Sequence, residues 1–257
     1  MSAPVRLSIE GPIARLVLDR PEKRNALDEA MWRALPERLA EAEADDGVRV
    51  LVVEGAGEAF AAGADISEFE AVYSTEARAA AYSETVSAAL EALAAFPRPA
   101  IAKIRGACVG GGCAIALACD LRFAARDARF GITPAKLGLV YPLADTRRLV
   151  EAVGVAAAKD LLFTGRLVDA AEAAELGLVD RLVEADALET AVAEYAAMIC
   201  AASRNSTETM KALIARIQAG RGEEDAESRR IFLEAFGGAD FAEGYRAFLD
   251  KRPPRFR

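Results

Sequence analysis

The chain contains no histidine in its 257 residues, and this absence removes several classes of catalytic site. Without imidazole there can be no Ser-His-Asp triad, no Cys-His dyad, no histidine general base and no histidine-ligated metal. Any proton transfer must therefore use carboxylates, tyrosine, lysine, water or backbone dipoles.

Cysteine is also scarce. The four cysteines form no C-x-x-C pair, and their spacing suits neither a zinc site nor a disulfide framework. We therefore predict reduced, buried thiols that behave as small hydrophobic side chains. These residues are Cys108, Cys113, Cys119 and Cys200.

Long apolar segments are missing as well. No apolar run approaches the ~20 residues that a membrane helix needs, and the N-terminal residues have no apolar core of a secretory signal. The net charge of −8 disfavours nonspecific binding to nucleic acid or to an anionic membrane. We expect a cytoplasmic protein without nucleic-acid or membrane partners, in which an anionic ligand would need a local basic cluster.

The apolar segments that are present predict an α/β fold. Residues 5–9 and 13–18 flank Gly11-Pro12 and are typical of a hairpin. Residues 48–53 and 100–104 are continuous apolar runs, as in strands that are covered on both faces. The sequence therefore predicts a strand-rich core in the first half of the chain.

Helices are predicted between and after these strands. Asp28 is placed to cap a helix with Met31, Leu35 and Leu39 on one face. From about residue 145 the chain is predicted to be mostly helical. Its last amphipathic segments lie around 205–219, 223–236 and 240–250.

Each buried strand is followed by a glycine-rich loop, at residues 55–66 and 106–113. Neither loop has the Gly-Lys-Ser/Thr of a phosphate-binding loop, and the first departs from a dinucleotide fingerprint at Phe60. The run Gly110-Gly111-Gly112 opens an apolar helix, whose first N–H groups lack intrahelical acceptors. Such donors suit an oxygen that gains negative charge during a reaction, although glycines also serve tight turns and close packing.

Four segments resemble those of the crotonase, or enoyl-CoA hydratase/isomerase, superfamily. They are RPEKRNAL at 20–27, AFAAGADI at 59–66, GGGC at 110–113 and FLDKRPP at 248–254. The resemblance implies a fold of stacked ββα units with a helical C-terminal trimerisation region. It also implies an acyl-CoA substrate with no separate cofactor or metal, and a homotrimer or hexamer. We assign residues 1–200 to the acyl-CoA-binding core and residues 201–257 to the helical region.

The resemblance further implies roles for individual residues. The backbone N–H groups of Ala64 and Gly111 are expected to hold a thioester enolate. Lys23, Arg24 and Lys251 offer charge for the coenzyme A phosphates, with Lys251 often supplied by a neighbouring subunit. The complete expected substrate-binding set is Lys23, Arg24, Ala26, Ala62, Asp65, Ile66, Gly110, Pro134, Phe248 and Lys251.

The chain departs from the hydratases that it resembles at both acid–base positions. The family's first glutamate corresponds to Ala114, and its second, after Phe-Gly-x-Pro, corresponds to Pro134. Neither residue carries a titratable side chain, so hydration by the two-glutamate mechanism is not expected to be efficient.

The segment 133–141 is instead similar to that of methylmalonyl-CoA decarboxylases, in which a tyrosine at the place of Tyr141 faces the substrate. Those enzymes also carry a histidine beside the first loop and a glutamate at the place of Ala114, and this chain has neither. The phenol of Tyr141 could donate to a carboxylate or to a nascent carbanion; the alternative is a half-buried core residue with a satisfied hydroxyl.

Four carboxylates remain as candidates. Asp65 and Asp120 lie at element ends, where carboxylates commonly cap backbone amides, and Glu68 opens a helix. Asp145 follows Tyr141 by one helical turn, so it either faces the cavity or caps a helix that begins at Thr146. Tyr141 and Asp145 are the two proposed proton carriers.

Three functions follow from these residues. The first is an enoyl-CoA hydratase or isomerase that stabilises a thioester enolate. The alternatives are a decarboxylase-like enzyme that uses Tyr141 and a catalytically silent acyl-CoA-binding protein.

Overall fold

The computed structural model describes residues 4–256, which form a mixed α/β structure. The strands are β1 Val5–Glu10, β2 Ile13–Leu18, β3 Val50–Gly55, β4 Ala100–Ile104, β5 Ala107–Val109, β6 Leu121–Ala125, β7 Arg129–Gly131, β8 Leu167–Asp169 and β9 Arg181–Val183. The helices are α1 Glu29–Ala44, α2 Phe69–Val72, α3 Glu76–Ala94, α4 Gly111–Ala118, α5 Leu143–Thr164, α6 Ala170–Glu175, α7 Leu188–Ala201, α8 Arg204–Gln218, α9 Ala226–Ala235 and α10 Ala239–Leu249.

A six-stranded sheet in the order β1-β2-β3-β4-β6-β9 organises the fold. The predicted hairpin is confirmed, because β1 and β2 are antiparallel and the turn residue Gly11 has a φ of 59°. All other neighbouring strands of this sheet are parallel. Parallel strands end at the same edge, so the loops that follow β3 and β4 begin side by side.

Both faces of this sheet are covered, as the continuous apolar runs predicted. On one face Val50, Val52 and Ile101 pack with residues of α7. On the other face the alternate residues Leu51 and Val53 join the main core with α1, α3 and α4. Burial on two faces removes any need for alternating polarity, which explains the uniformly apolar strands.

A second sheet contains three short strands in the order β5-β7-β8. Strand β5 follows β4 closely in sequence and pairs in parallel with β7. Strand β5 forms part of the second glycine loop, and because it ends at Val109 this sheet fixes the position of Gly110.

Helix α1 begins where it was predicted. The side chain of Asp28 accepts a hydrogen bond from the N–H of Met31 at 2.8 Å, which satisfies a free donor of the first turn. Met31, Leu35 and Leu39 are all buried against the core. Trp32 is buried beside them and reaches the candidate site.

The C-terminal segments form α8, α9 and α10, within about three residues of their predicted bounds. They retain large exposed apolar side chains, among them Phe232 at 65%, Phe248 at 83% and Leu249 at 71% exposure. Helices that present this much apolar surface normally bury it against another chain.

The cysteines are free, as predicted: three are buried and Cys200 is partly exposed. Across residues 4–256, no helix combines the length and the apolar composition that crossing a bilayer requires.

Candidate active site

The segment 20–27 is fixed to the first glycine loop by Asn25, a fully buried side chain. The amide nitrogen of Asn25 donates to the carbonyls of Ala56 at 2.9 Å and Ala59 at 2.7 Å. Its amide oxygen accepts from the N–H of Arg20 at 2.9 Å. The residue has a φ of 57°, a left-handed conformation that asparagine tolerates better than most residues. One side chain therefore joins two chain segments that are distant in sequence.

Backbone hydrogen bonds made by the residues on either side of Ala64 fix the orientation of Ala64 in the first loop. The N–H of Leu27 donates to the carbonyl of Gly63 at 2.7 Å, and the N–H of Asp65 donates to the carbonyl of Leu27 at 2.8 Å. Because neighbouring groups in an extended chain point in alternate directions, the N–H of Ala64 faces away from Leu27.

The second loop lies in direct contact with the first. The N–H of Val109 donates to the carbonyl of Ala61 at 3.0 Å. A Cβ added to Gly112 would lie 2.4 Å from the oxygen of Ala61, so only glycine fits there without moving the backbone. Gly110 has a φ of 53° and turns the chain into α4.

Two backbone donors meet where these loops touch. Within residues 4–256, neither the N–H of Ala64 nor that of Gly111 donates to a protein acceptor. The two are close neighbours, because a Cβ added to Gly111 would lie 3.6 Å from the nitrogen of Ala64. Gly111 is also the first residue of α4, at the positive end of the helix dipole. A pair of unengaged donors can stabilise an oxygen that gains negative charge.

Both donors open into a cavity of about 610 Å³. Ala114 and Pro134, which occupy the positions of the expected glutamates, line this cavity and give it no carboxylate there. The residues of α3 that line the cavity recur every three or four positions, so they lie on one face of the helix. That wall consists of Glu76, Ala79, Ala80, Tyr82, Ser83, Val86, Ser87, Leu90 and Glu91.

Tyr141 lines the cavity and is 8% exposed. Its hydroxyl oxygen is sealed from solvent and has no hydrogen-bond partner among the described residues. Burial raises the pKa of this phenol well above its ordinary value, and the nearby thiol of Cys113 and carboxylate of Asp145 add to the rise. The hydroxyl therefore stays protonated and can donate a hydrogen bond, but it cannot serve as a base.

Asp145 also lines the cavity, and the alternative of a cap for a helix starting at Thr146 is wrong. Helix α5 begins three residues earlier, at Leu143, with Pro142 as its N-cap, so Asp145 lies within the first turn. Its Oδ1 accepts from Arg148 at 2.9 Å, whereas its Oδ2 has no partner in the described part of the chain. Burial raises the pKa of Asp145, Arg148 opposes that rise, and Glu91 adds to it.

The expected site residues fall into two groups. The structure brings eight of them to the cavity wall: Ala62, Ala64, Ile66, Gly110, Gly111, Pro134, Tyr141 and Asp145. The others do not line it: Lys23, Arg24, Ala26, Asp65, Phe248 and Lys251.

Several residues outside the cavity have defined structural contacts. Asp65 accepts from Ser67 at 2.6 Å and from Arg20 at 3.0 Å, and these bonds hold the first loop. Lys23 and Arg24 are exposed, and the carbonyl of Arg24 accepts from the N–H of Ala62 at 2.9 Å. Their charges thus lie on the chain segment that borders the first loop.

Two of the candidate carboxylates, Asp120 and Glu68, accept hydrogen bonds from backbone amides. Asp120 accepts from the N–H of Ala100 at 2.7 Å. Glu68 accepts from the N–H of Glu29 at 2.8 Å, so it caps α1 and not the helix that it opens.

Among the cavity residues that the sequence did not predict are Trp32, Glu91 and Arg148. The indole of Trp32 backs the second loop, since a Cβ on Gly111 would lie 3.0 Å from its ring. Arg148 is 8% exposed and binds both Asp145 and, at 2.6 Å, Glu91. Arg148 was recognisable only as part of an amphipathic helix, without any motif around it.

Comparison with known proteins gives consistent results. Residues 8–257 match the family model described as enoyl-CoA hydratase/isomerase. A Hyphomonas neptunium protein assigned to the enoyl-CoA hydratase/isomerase family has a solved structure that is 50% identical, with a TM-score of 0.96; the match covers 99% of this chain and 97% of that one.

Curated relatives agree with that match. A Thermus thermophilus protein with a provisional enoyl-CoA hydratase assignment is 41% identical, over 96% of this chain and 98% of the relative. The short-chain-enoyl-CoA hydratase of Clostridium acetobutylicum is 34% identical, over 96% of this chain and 95% of the relative.

Proposed function

Because the chain belongs to the enoyl-CoA hydratase/isomerase family, we propose that it binds an acyl-CoA thioester and stabilises the derived enolate with the N–H groups of Ala64 and Gly111. The observation that carries this proposal is the pair of unengaged backbone donors on the cavity wall. A neutral thioester oxygen gains little from them, whereas an enolate oxygen gains much, and only that difference accelerates a reaction. Losing one such donor typically raises the barrier by about 2.7–4 kcal/mol.

The proton carriers distinguish this chain from a two-glutamate hydratase. Ala114 and Pro134 cannot transfer a proton, so we propose that Tyr141 and Asp145 take their place. Tyr141 acts as a neutral donor, because its pKa is raised. Asp145 lies beside Tyr141 and has one oxygen without a partner in the described part of the chain, so we propose that it accepts a proton.

Decarboxylation is a second candidate that the same residues favour. When the bond between the α-carbon and a carboxylate breaks, carbon dioxide leaves and its bonding electron pair becomes the enolate. This step needs the two backbone donors but no base, and a proton from Tyr141 or water then completes the product. A silent acyl-CoA-binding protein would keep the donors and the cavity without any turnover.

Coenzyme A is proposed to lie along the segment that carries Lys23 and Arg24, beside the first loop. Phe248 and Lys251, which are exposed, would complete that site from a neighbouring subunit. We therefore propose a trimer or a dimer of trimers that buries the apolar faces of α8, α9 and α10. Light scattering should give at least three times the monomer mass at micromolar protein, and a monomer would remove the proposed role of Lys251.

Two measurements test the function. Calorimetry with butanoyl- and hexanoyl-CoA should show saturable binding, and no heat or saturation at millimolar ligand would refute acyl-CoA binding. Mass spectrometry of crotonyl-CoA, a 3-enoyl-CoA and malonyl-type thioesters after incubation identifies the reaction. Binding without conversion of any of them would support the silent protein.

A further inference from the structure

We propose that the ion pair between Glu91 and Arg148 closes the acyl cavity at one end and so limits both the length and the terminal charge of the acyl chain. This inference rests on the proposed function, because it takes the thioester carbonyl to lie at Ala64 and Gly111. It identifies the substrates as acyl-CoAs of bounded length with an uncharged end, which favours the hydratase or isomerase over decarboxylation of a malonyl-type thioester.

The direction of the cavity follows from α3. Its lining residues run from Glu76 to Glu91, which spans about 22 Å at 1.5 Å per residue. Coenzyme A is proposed to enter beside Ala62, so the acyl chain occupies the part of the cavity that continues past Ala114 and Leu90. On α3 that part presents Val86, Ser87 and Leu90 before it reaches Glu91.

An ion pair at Glu91 connects the two helices, α3 and α5, that line the cavity there. Arg148 of α5 donates to Glu91 of α3 at 2.6 Å and to Asp145 at 2.9 Å. The guanidinium is buried, whereas the side chain of Glu91 is 54% exposed. We infer that the Glu91–Arg148 pair closes this end of the cavity, so that a longer chain would have to displace it.

The charges of this cluster select against a charged acyl end. Arg148 contributes one positive charge and is already bound by two carboxylates, Glu91 and Asp145. When both are ionised the cluster has a net charge of −1, so it repels a terminal carboxylate on the acyl chain. An alkyl end requires no further partner from Arg148.

Glu91 is the member of the pair to remove. Its half-exposed side chain leaves no core cavity behind, and Arg148 keeps Asp145 as a partner, so Glu91→Ala should fold. A melting curve confirms this before any binding measurement. Glu76→Ala is the matched control, because Glu76 also lines the cavity on α3 but lies at the opposite end and has no ion pair among the described residues.

Because Asp145 is both a proposed proton carrier and a partner of Arg148, the series starts with short chains, and Kd is measured by calorimetry for acetyl-, butanoyl-, hexanoyl-, octanoyl- and decanoyl-CoA. Two buried methylenes should tighten binding about 15-fold, until the chain reaches the closed end. In the parent, one acyl chain in the series will be the first that binds no more tightly than the chain two carbons shorter. Glu91→Ala should bind that same thioester about 15-fold more tightly than the parent does. Glu76→Ala should keep the parent's limit.

A second series uses the corresponding ω-carboxyacyl-CoAs. The parent should bind them more weakly than the alkyl thioesters, whereas in Glu91→Ala the ligand carboxylate can replace that of Glu91 on Arg148 and reverse the preference. An unchanged length limit and an unchanged preference in Glu91→Ala would overturn the inference while acyl-CoA binding stands. If no thioester bound either protein, the proposed function itself would fall, and this inference with it.

Discussion

Replacing Tyr141 by phenylalanine should affect stability and turnover in opposite directions. The substitution removes one hydroxyl and almost no volume, so it leaves the packing of the ring intact. In the free protein that hydroxyl is buried without a partner in the described residues. An unsatisfied buried donor costs about 1–3 kcal/mol, so Tyr141→Phe should raise the free energy of unfolding by a similar amount.

The size of the effect is measurable by thermal unfolding. In a chain of this length a change of 1 kcal/mol shifts Tm by about 2–4 °C. Tyr73→Phe is the control, because Tyr73 also lines the cavity but is 41% exposed, whereas Tyr141 is 8% exposed. That change should stay within about 0.5 kcal/mol of the parent.

Turnover should fall in the same Tyr141→Phe variant while the acyl-CoA affinity changes little, since the hydroxyl is proposed to bind the intermediate more strongly than the substrate. Steady-state kinetics and calorimetry with one thioester separate the two quantities. Equal turnover would return Tyr141 to a packing role. A loss of stability would show instead that the hydroxyl has a bonding partner in the free protein.

Three further predictions follow from the cavity and its loops. Hydration of crotonyl-CoA, followed by its ultraviolet absorbance, should be slower than in a two-glutamate hydratase by about 10²–10⁴-fold for each missing group, and Ala114→Glu should raise it; an ordinary hydratase rate would contradict the proposed proton carriers. Gly112→Ala should lower the free energy of unfolding by about 1–3 kcal/mol in urea, because its Cβ would lie 2.4 Å from the oxygen of Ala61; an unchanged midpoint would mean that the loops can separate freely. The pKa of Asp65 is lowered, chiefly by the hydroxyl of Ser67, so its stabilisation is complete above the unfolded value of 3.8 and is lost as pH falls below it. Asp65→Asn should therefore flatten the acid limb of a stability profile, and an identical limb would argue against this bond.

Local features of the fold were predictable from the sequence. The hairpin at Gly11, the cap at Asp28 and the three C-terminal helices each depend on neighbouring residues, so their signals are contained in short windows. The two donor positions, Ala64 and Gly111, were implied by family resemblance, and neither N–H has an acceptor among residues 4–256.

Features that join distant segments were not predictable. Glu91 and Arg148 are 57 residues apart, and each resembles an ordinary surface charge on its own helix. The sheet formed by β5, β7 and β8 has strands of three residues, too short for any periodicity to show. For Asp145, spacing alone could not decide between a helix cap and a cavity residue. Sequence patterns locate the first residue of a helix only to within a few residues, and the two alternatives differ by that much.

The main-chain origin of the two free donors has a consequence for how such a protein can change over generations. A substitution at Ala114 or Pro134 alters the chemistry available in the cavity, yet it leaves the N–H groups of Ala64 and Gly111 in place. Those donors are lost only when the turns themselves fail, as a side chain at Gly112 would cause. Heritable variation can therefore exchange one acid or base for another while the two backbone groups proposed to bind the carbonyl stay in place.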